Sequence, residues 1–542
     1  GSMKKTKLLL HKRILAAVLS GGMLLLPNWG YALPQGGTVV AGNGNISDPS
    51  NITGSGNVAI DWNSFNIGKN ETVTFSGMQA VLNYVTGNTK SEILGNITGN
   101  DVHVFLVNPN GILFGADAKV NVGQLTASTR TIEDRAGFDG SAFSTLSADA
   151  AQKVRGDIIN LGELTANKIV LEGDNISLLN AATLKAGSNS DITLRANNKV
   201  TVGYEVTDKT TINVGDGVSG GHEVSDYKKG GGTKGSVALN GVVVQDLSGN
   251  SKNITDAMLV HNVYELQAIA NNTFVGSDGY TYVQGDYMLA NDINASDTVN
   301  WNSGKGFASI GSISNWPNGP KGGFTGSLDG MECKIMGLNI KRTDTSYYNG
   351  CYVGLFTILR EGASVKNIRL TDYETTDTNG ITTIVKSNIE GTQQVGGIAG
   401  INYGTISNVT NEANITAGSL GEIGGIVGVN YGKLDNVINK GTITSTGSNL
   451  GGIAGGNNGG TINNARNEAA IEAKASNVGG IVGSNSAMGT ISNSVNAGKI
   501  TGSNVSNVGG IVGYNGSGII RGGIIDSCTN NQRGCYKYYW WQ

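Results

Sequence analysis

Between Val395 and Tyr514 one phrase, an aliphatic residue followed by Gly-Gly-Ile-Ala/Val-Gly, returns five times, its glycine pair beginning at 396, 424, 451, 479 and 509. The steps are 28, 27, 28 and 30 residues. Six positions after the first glycine of each pair stands an asparagine: Asn402, Asn430, Asn457, Asn485 and Asn515. Farther on, Ile406, Leu434, Ile462 and Ile491 align, then Asn408, Asn436, Asn464 and Asn493, then Asn411, Asn439, Asn467 and Asn496, then Ile415, Ile443, Ile471 and Ile500. A unit this short cannot bury an apolar face alone, whereas stacked copies can. Parallel strands about 4.8 Å apart would turn the aliphatic positions into continuous columns and the asparagines into amide ladders. The Gly-Gly and Asn-Tyr-Gly pieces are expected to supply positive φ where each coil turns. Leucine-rich repeats need their own Leu spacing, and propeller blades need about four strands in 40 or more residues, so neither fits as well. The expected fold is all-β: a right-handed parallel β-helix along most of the chain.

Composition supports strands over helices. Gly is 84 of 542 residues, Pro only 6, and charged residues make up 15%, so the chain solvates itself with Asn, Ser and Thr, which favour turns and strand surfaces over helix interiors. After a Gly1-Ser2 tag remnant, Lys4, Lys5, Lys7, Lys12 and Arg13 precede a largely apolar run from Ile14 to Leu26 and then Gly30-Tyr31-Ala32. That pattern is a secretory leader cut after Ala32. Its removal takes away five positive charges and no acid, shifting the formal charge from −3 to −8. No basic stripe is left to hold nucleic acid.

Short apolar runs such as Ile169-Val170-Leu171 and Ile192-Thr193-Leu194 extend the strand pattern upstream, Lys228 to Gly235 reads as a flexible excursion, and Val263 to Ala270 is the one expected helix, capping or buttressing the coils. The organisation expected is leader 1–32, secretion domain and following coils 33–250, continuation with the helix 251–370, repeats 371–525 and a cysteine-loop aromatic tail 526–542. Four cysteines in an exported chain permit disulfides in three connectivities; the local pairs Cys333–Cys351 and Cys528–Cys535 are expected.

Residues 104–129 read VFLVNPNGILFGADAKVNVGQLTAST, with Asn108, Pro109, Asn110, Gly111 and Ile112 at the centre. Together with Gly36-Gly37-Thr38-Val39-Val40, Asp61-Trp62-Asn63-Ser64-Phe65-Asn66-Ile67-Gly68 and Val81-Leu82-Asn83, this resembles the secretion domain of two-partner secretion exoproteins of the filamentous-haemagglutinin type, over about residues 36–155. The separate Asn-Pro-Asn-Leu phrase of some relatives is absent. The resemblance implies recognition by a partner outer-membrane transporter barrel, export, and an adhesin as the main role; a haemolysin or toxin-delivery exoprotein is the alternative. Residues 289–342 and the five repeats are similar to GLUG-repeat regions of large bacterial surface proteins. The tail Cys528–Cys535, followed by five aromatics in the last seven residues, resembles the cysteine-closed loops that hold some exoproteins of this family at the cell surface; a hairpin capping the last coil is the other reading.

Catalysis finds little footing. His222-Glu223-Val224-Ser225-Asp226 opens like a zincin motif but lacks the second His. Glu412, Glu422, Asp435, Glu468 and Glu472 are scattered rather than gathered into an acidic cluster, so a β-helix polysaccharide-degrading enzyme is the least favoured alternative. No metal, cofactor or enzymatic role is expected. With roughly 22 residues and ~4.8 Å per coil, the mature chain would form a rod on the order of 110 Å. Ile426 and Ile453 are expected inside it, Lys433 and Glu422 on its surface.

Overall fold

The computed structural model describes residues 33–525, apart from 152, 317–318, 344–350, 419–420, 475 and 522–523. The leader and the Cys528–Cys535 tail lie outside the described residues. The fold is a parallel β-helix. Among the described residues, one sheet of 25 strands runs the length of the molecule and three six-stranded sheets join it in the repeats. Thr38–Asn45 pairs antiparallel with Asn51–Trp62 and so covers the first edge of the stack, an edge that would otherwise template pairing with another chain.

In the repeats each coil contributes one strand to each of four sheets, as in Glu422–Gly424, Val427–Asn430, Lys433–Asn439 and Ile443–Ser445. Register is set by identity: Ile423 lies on Leu450, Leu434 on Ile462 and Ile443 on Ile471. Ile398, Ile426, Ile453 and Ile481 are all fully buried between them. Two asparagine ladders run inside this core. In the first, Asn402 Nδ2 donates to Asn430 Oδ1 at 2.9 Å, Asn430 to Asn457 at 2.9 Å, Asn457 to Asn485 at 2.9 Å and Asn485 to Asn515 at 3.1 Å. In the second, Asn411, Asn439, Asn467 and Asn496 are linked in the same sense at 3.0, 3.0 and 2.9 Å.

The glycine pairs do something other than expected. None of the paired glycines has positive φ; that conformation falls instead to Asn408, Asn436, Asn464 and Asn493, at φ 52, 52, 51 and 50°. Asparagine is among the few residues that tolerate it. The second glycine of the first four pairs serves the neighbouring ladder: a Cβ on Gly425 would stand 2.2 Å from Asn439 Cγ, and one on Gly452 2.4 Å from Asn467 Cγ. The pairs are spaces left for amides, and Asn makes a bend within the long-sheet strand of a coil, as Asn408 does in Thr405–Asn411 and Asn436 in Lys433–Asn439.

A straight rod is not what forms. Ile254–Val260 pairs through residues 254–258 with the preceding coil and through 258–260 with the following one, so the stack steps sideways there. The apolar interior divides accordingly, one core drawn from residues 52–239 and the other mainly from 204–511. The second stack lies back against the flank of the first. Lys90 Nζ meets Glu332 Oε2 at 2.5 Å, and Ser177 Oγ donates to Asp329 Oδ2 at 2.7 Å. Seven strand pairings separate Thr72–Val85 from Ser327–Met336, which would be roughly 34 Å apart in a straight stack. Leu113 and Ile159, pointing out of the first stack, are buried in the second stack's core.

Val263–Ala268 is helical and continues as a 3-10 turn through Asn271, capped where the Asn262 side chain accepts from Glu265 N. It is not the sole helix, because Ala148–Ala151 and Gly235–Ala238 form single turns. The latter abuts the glycine-rich excursion, and a hairpin of Lys209–Ile212 with His222–Ser225 lies just before it.

Candidate functional site

The Asn108–Ile112 segment is a corner where one coil of the first stack turns into the next. Asn108 is fully buried. Its Nδ2 donates to Thr89 O and Ser91 Oγ, both at 3.0 Å, and its Oδ1 accepts from Asn110 N at 3.0 Å and Asn110 Nδ2 at 2.8 Å. Every valence of that amide is therefore spent on holding the turn, as a buried amide must be. Pro109 presets φ and removes a donor. Gly111 adopts φ 123° and donates to Asn108 O at 3.1 Å, a backbone that favours glycine. Ile112 returns to the core at 1% exposure. Of the five, Pro109 is half-buried and Asn110 exposed. The surface that a partner could read is thus the Pro109–Asn110 tip, with Asn108 as its internal brace. Trp62 and Asn83, from the companion phrases, form a second brace: the indole Nε1 donates to Asn83 Oδ1 at 3.0 Å, buried.

The corner borders a segment that the sequence did not disclose. The chain leaves the stack after Ser128 and rejoins it at Gly156, where a Cβ would lie 2.6 Å from Gly111 N. Ile112 N donates to Asp157 O at 2.9 Å, so the returning strand seats directly on the corner. Residues 129–147 fold over the outer face of the sheet, placing Ile132, Phe138 and Phe143 on Leu82, Tyr84 and Phe105. Two ionic clamps hold them. Arg135 grips Asp61 through Nε and Nη2 at 3.0 and 2.8 Å and lies over the Tyr84 ring. Arg130 grips fully buried Glu172 through Nε and Nη2 at 2.6 and 2.7 Å, with Ser128 Oγ donating to the same carboxylate at 2.7 Å. Arg195 Nε stands 3.1 Å from Glu172 Oε2 but out of line for a hydrogen bond, so it contributes charge without a proton bridge. The signal for this clamp, Thr129-Arg130 at the end of the motif, was present, but its partner Glu172 lies 42 residues on.

The other candidates fall elsewhere. Cys333 and Cys351 are not disulfide-bonded, contrary to the expected pairing. Cys333 sits in a long-sheet strand opposite Ile368, with its Sγ toward Met331 O, whereas Cys351 precedes a strand of a different sheet, Tyr352–Val353. Burial pushes both thiols up, the Cys333 thiol most strongly. His222 pairs with Asp216 at 2.7 Å and stacks on Tyr264 at 3.8 Å, inside a surface hairpin. Among the described residues, no group of three His, Cys, Asp or Glu side chains gathers to hold a metal ion. Glu422 is not a surface group: it accepts from Asn449 Nδ2 at 3.1 Å, and burial pushes its carboxyl up.

A parallel β-helix with an N-terminal secretion-type corner and asparagine-laddered repeats defines a class of exported exoprotein domain. This chain belongs to the two-partner secretion family: the TPS secretion domain matches residues 32–306, and the GLUG motif matches residues 474–501. Among curated relatives it is 34% identical over 173 residues to the heme/hemopexin-binding protein of Haemophilus influenzae, a match covering 30% of this chain and 19% of that one. It is 31% identical over 275 residues to halomucin of Haloquadratum walsbyi, covering 50% of this chain and 2% of that one. The matched segments thus span about a fifth or less of these two relatives. The HMW1 secretion domain from Haemophilus influenzae aligns over 90% of this chain and 100% of its own at 15% identity, with a TM-score of 0.21.

Proposed function

We propose that this chain is an exported exoprotein that works at the outer cell surface as an adhesin, carried across the outer membrane by a partner transporter barrel that reads the Pro109–Asn110 tip. The carrying observation is the family match over 32–306, joined to a corner in which Asn108 is internal and Asn110 exposed. The repeats have no catalytic role in this reading: they present a long, neutral, hydrogen-bonding surface on a rigid core.

The test separates brace from tip. Asn110→Ala lowers the secreted fraction several-fold in cells carrying the partner transporter and leaves periplasmic protein detectable; because Asn110 Nδ2 also donates to Asn108 Oδ1 at 2.8 Å and Gly87 O at 2.9 Å, the unfolding midpoint of the purified chain falls too, but by less than in Asn108→Ala. Asn108→Ala lowers secretion and the midpoint together, since it strands buried partners at about 1–3 kcal/mol. Normal secretion of both variants, or secretion of the parent without any partner barrel, refutes the proposal.

A further inference from the structure

A cleft of about 680 Å³ opens between the hairpin of Thr273–Val275 with Thr281–Val283 and one corner of the second stack. On the hairpin wall Phe274 and Tyr282 are cross-strand partners with ring centroids 5.8 Å apart. On the opposite wall Tyr403 and Tyr431, from successive coils, stack at 4.7 Å and 14°. Arg360 lies between the walls, its guanidinium 5.8 Å from the Tyr282 ring and 5.6 Å from the Tyr403 ring. It is fixed there by donating to Gly322 O and Pro320 O, both at 2.6 Å. Asp278, which accepts from the Tyr282 hydroxyl at 2.5 Å, and exposed Glu361 add carboxylates to the lining.

The repeat supplies its own control. In every coil the residue after the ladder asparagine, or after Leu359 in its register, occupies the same corner. Along the stack that position reads Arg360, Tyr403, Tyr431, Asn458, Ser486, Gly516. The later corners are one or two residues longer, Asn457 to Thr461 and Asn485 to Thr490 against Asn430 to Lys433, and turn with Asn, Ser and Gly at this position, so the stack can be continued without the large residues. They occur only in the coils that line the cleft.

We propose that this cleft is a glycan-binding site for a short run of uncharged hexose units. A pyranose ring has an apolar C–H face and a rim of hydroxyls; the first stacks on flat aromatic walls, and the second can donate to the Asp278 and Glu361 carboxylates and accept from the Arg360 guanidinium. Two carboxylates against one guanidinium disfavour acidic sugars. The walls are preformed, so little ordering cost is added on binding. A porphyrin fits less well, because the cleft is open and half polar and the Tyr282 hydroxyl is committed to Asp278. This inference deepens the adhesin reading and rests on it for its biological role, though not for its chemistry.

The test uses the purified full chain on immobilised neutral and sialylated oligosaccharides, with affinities measured by titration. Neutral saccharides bind and sialylated ones bind more weakly. Tyr431→Ala, at a residue 39% exposed, weakens binding about tenfold while the chain stays folded with its unfolding midpoint lowered only by the loss of the Tyr403 stack, and Asn458→Ala in the same column leaves binding unchanged. Absence of saccharide binding, equal loss in both variants, or a porphyrin absorbance shift abolished by Tyr431→Ala in its place overturns the site. Saccharide binding by the pure protein without cell adherence upholds the site while refuting the adhesin reading; adherence that survives Tyr431→Ala does the reverse.

Discussion

Asn436 and Glu172 show how single side chains decide local structure here. At φ 52° Asn436 occupies a backbone region costing most L-residues about 1–2 kcal/mol, and its Nδ2 donates to Asn408 Oδ1 at 3.2 Å. Asn436→Ala is expected to lower stability by roughly that amount in urea melts, and Asn436→Gly by clearly less; equal losses would mean that the amide rather than the backbone matters. Glu172 is a buried carboxylate between two guanidiniums. Glu172→Gln strands Arg130 and Arg195 and costs about 3–5 kcal/mol. Limited proteolysis should then cut within 129–147, because the clamp holding that segment is gone; an unchanged cleavage pattern would show that Arg135–Asp61 and the aromatic contacts suffice.

At the scale of elements, the repeat coils were legible because each position recurs. Ile406, Leu434, Ile462 and Ile491 had to be a column whatever the turns did. What the turns did was not legible: both a positive φ and a missing Cβ select glycine, and only the Asn439 side chain lying over Gly425 distinguishes them. The non-repeating pieces were opaque for a related reason. The segment 129–157 and the hairpin 209–225 are held by contacts to distant coils, such as Arg135 with Asp61, and leave no period to read. The corner residues 108–112 were recognisable as a phrase, yet their division into brace and tip needed burial. Within the coils, Ile453→Asp buries an unpaired charge and should cost several kcal/mol, whereas Lys433→Ala, at a side chain 55% exposed, should cost under ~1 kcal/mol. Equal shifts of the urea midpoint would contradict the register.

For the whole molecule, two histidines shifted to opposite sides of neutrality make opposite contributions to the pH dependence of stability. Burial beside Phe105 lowers the His103 pKa to about 4. The unfolded chain therefore binds more protons below about 6.5, and this contribution, complete above that pH, is lost as pH falls toward 4. Hydrogen bonds to Glu265 and Glu205 raise the His261 pKa to about 9, so its contribution is complete below 6.5 and lost as pH rises through 9. These two contributions together are greatest near pH 6.5; His103→Gln should flatten the acid limb and His261→Gln the alkaline limb in unfolding midpoints measured from pH 4 to 9. The buried ladders carry a different property of the whole. In both, every amide hydrogen bond points toward the later coil, and the sense is locked because each ladder oxygen that accepts a backbone N–H two residues on, as Asn402 does from Gly404 at 3.0 Å, cannot exchange places with its NH2 group. The stack is therefore a one-way chain of dipoles with unlike ends, one offering an oxygen and the other a donor. A further coil, whether added by duplication of a repeat or lent by another molecule, can extend that chain only if it arrives head to tail; met head to head, two oxygens or two NH2 groups would face each other in a dry core.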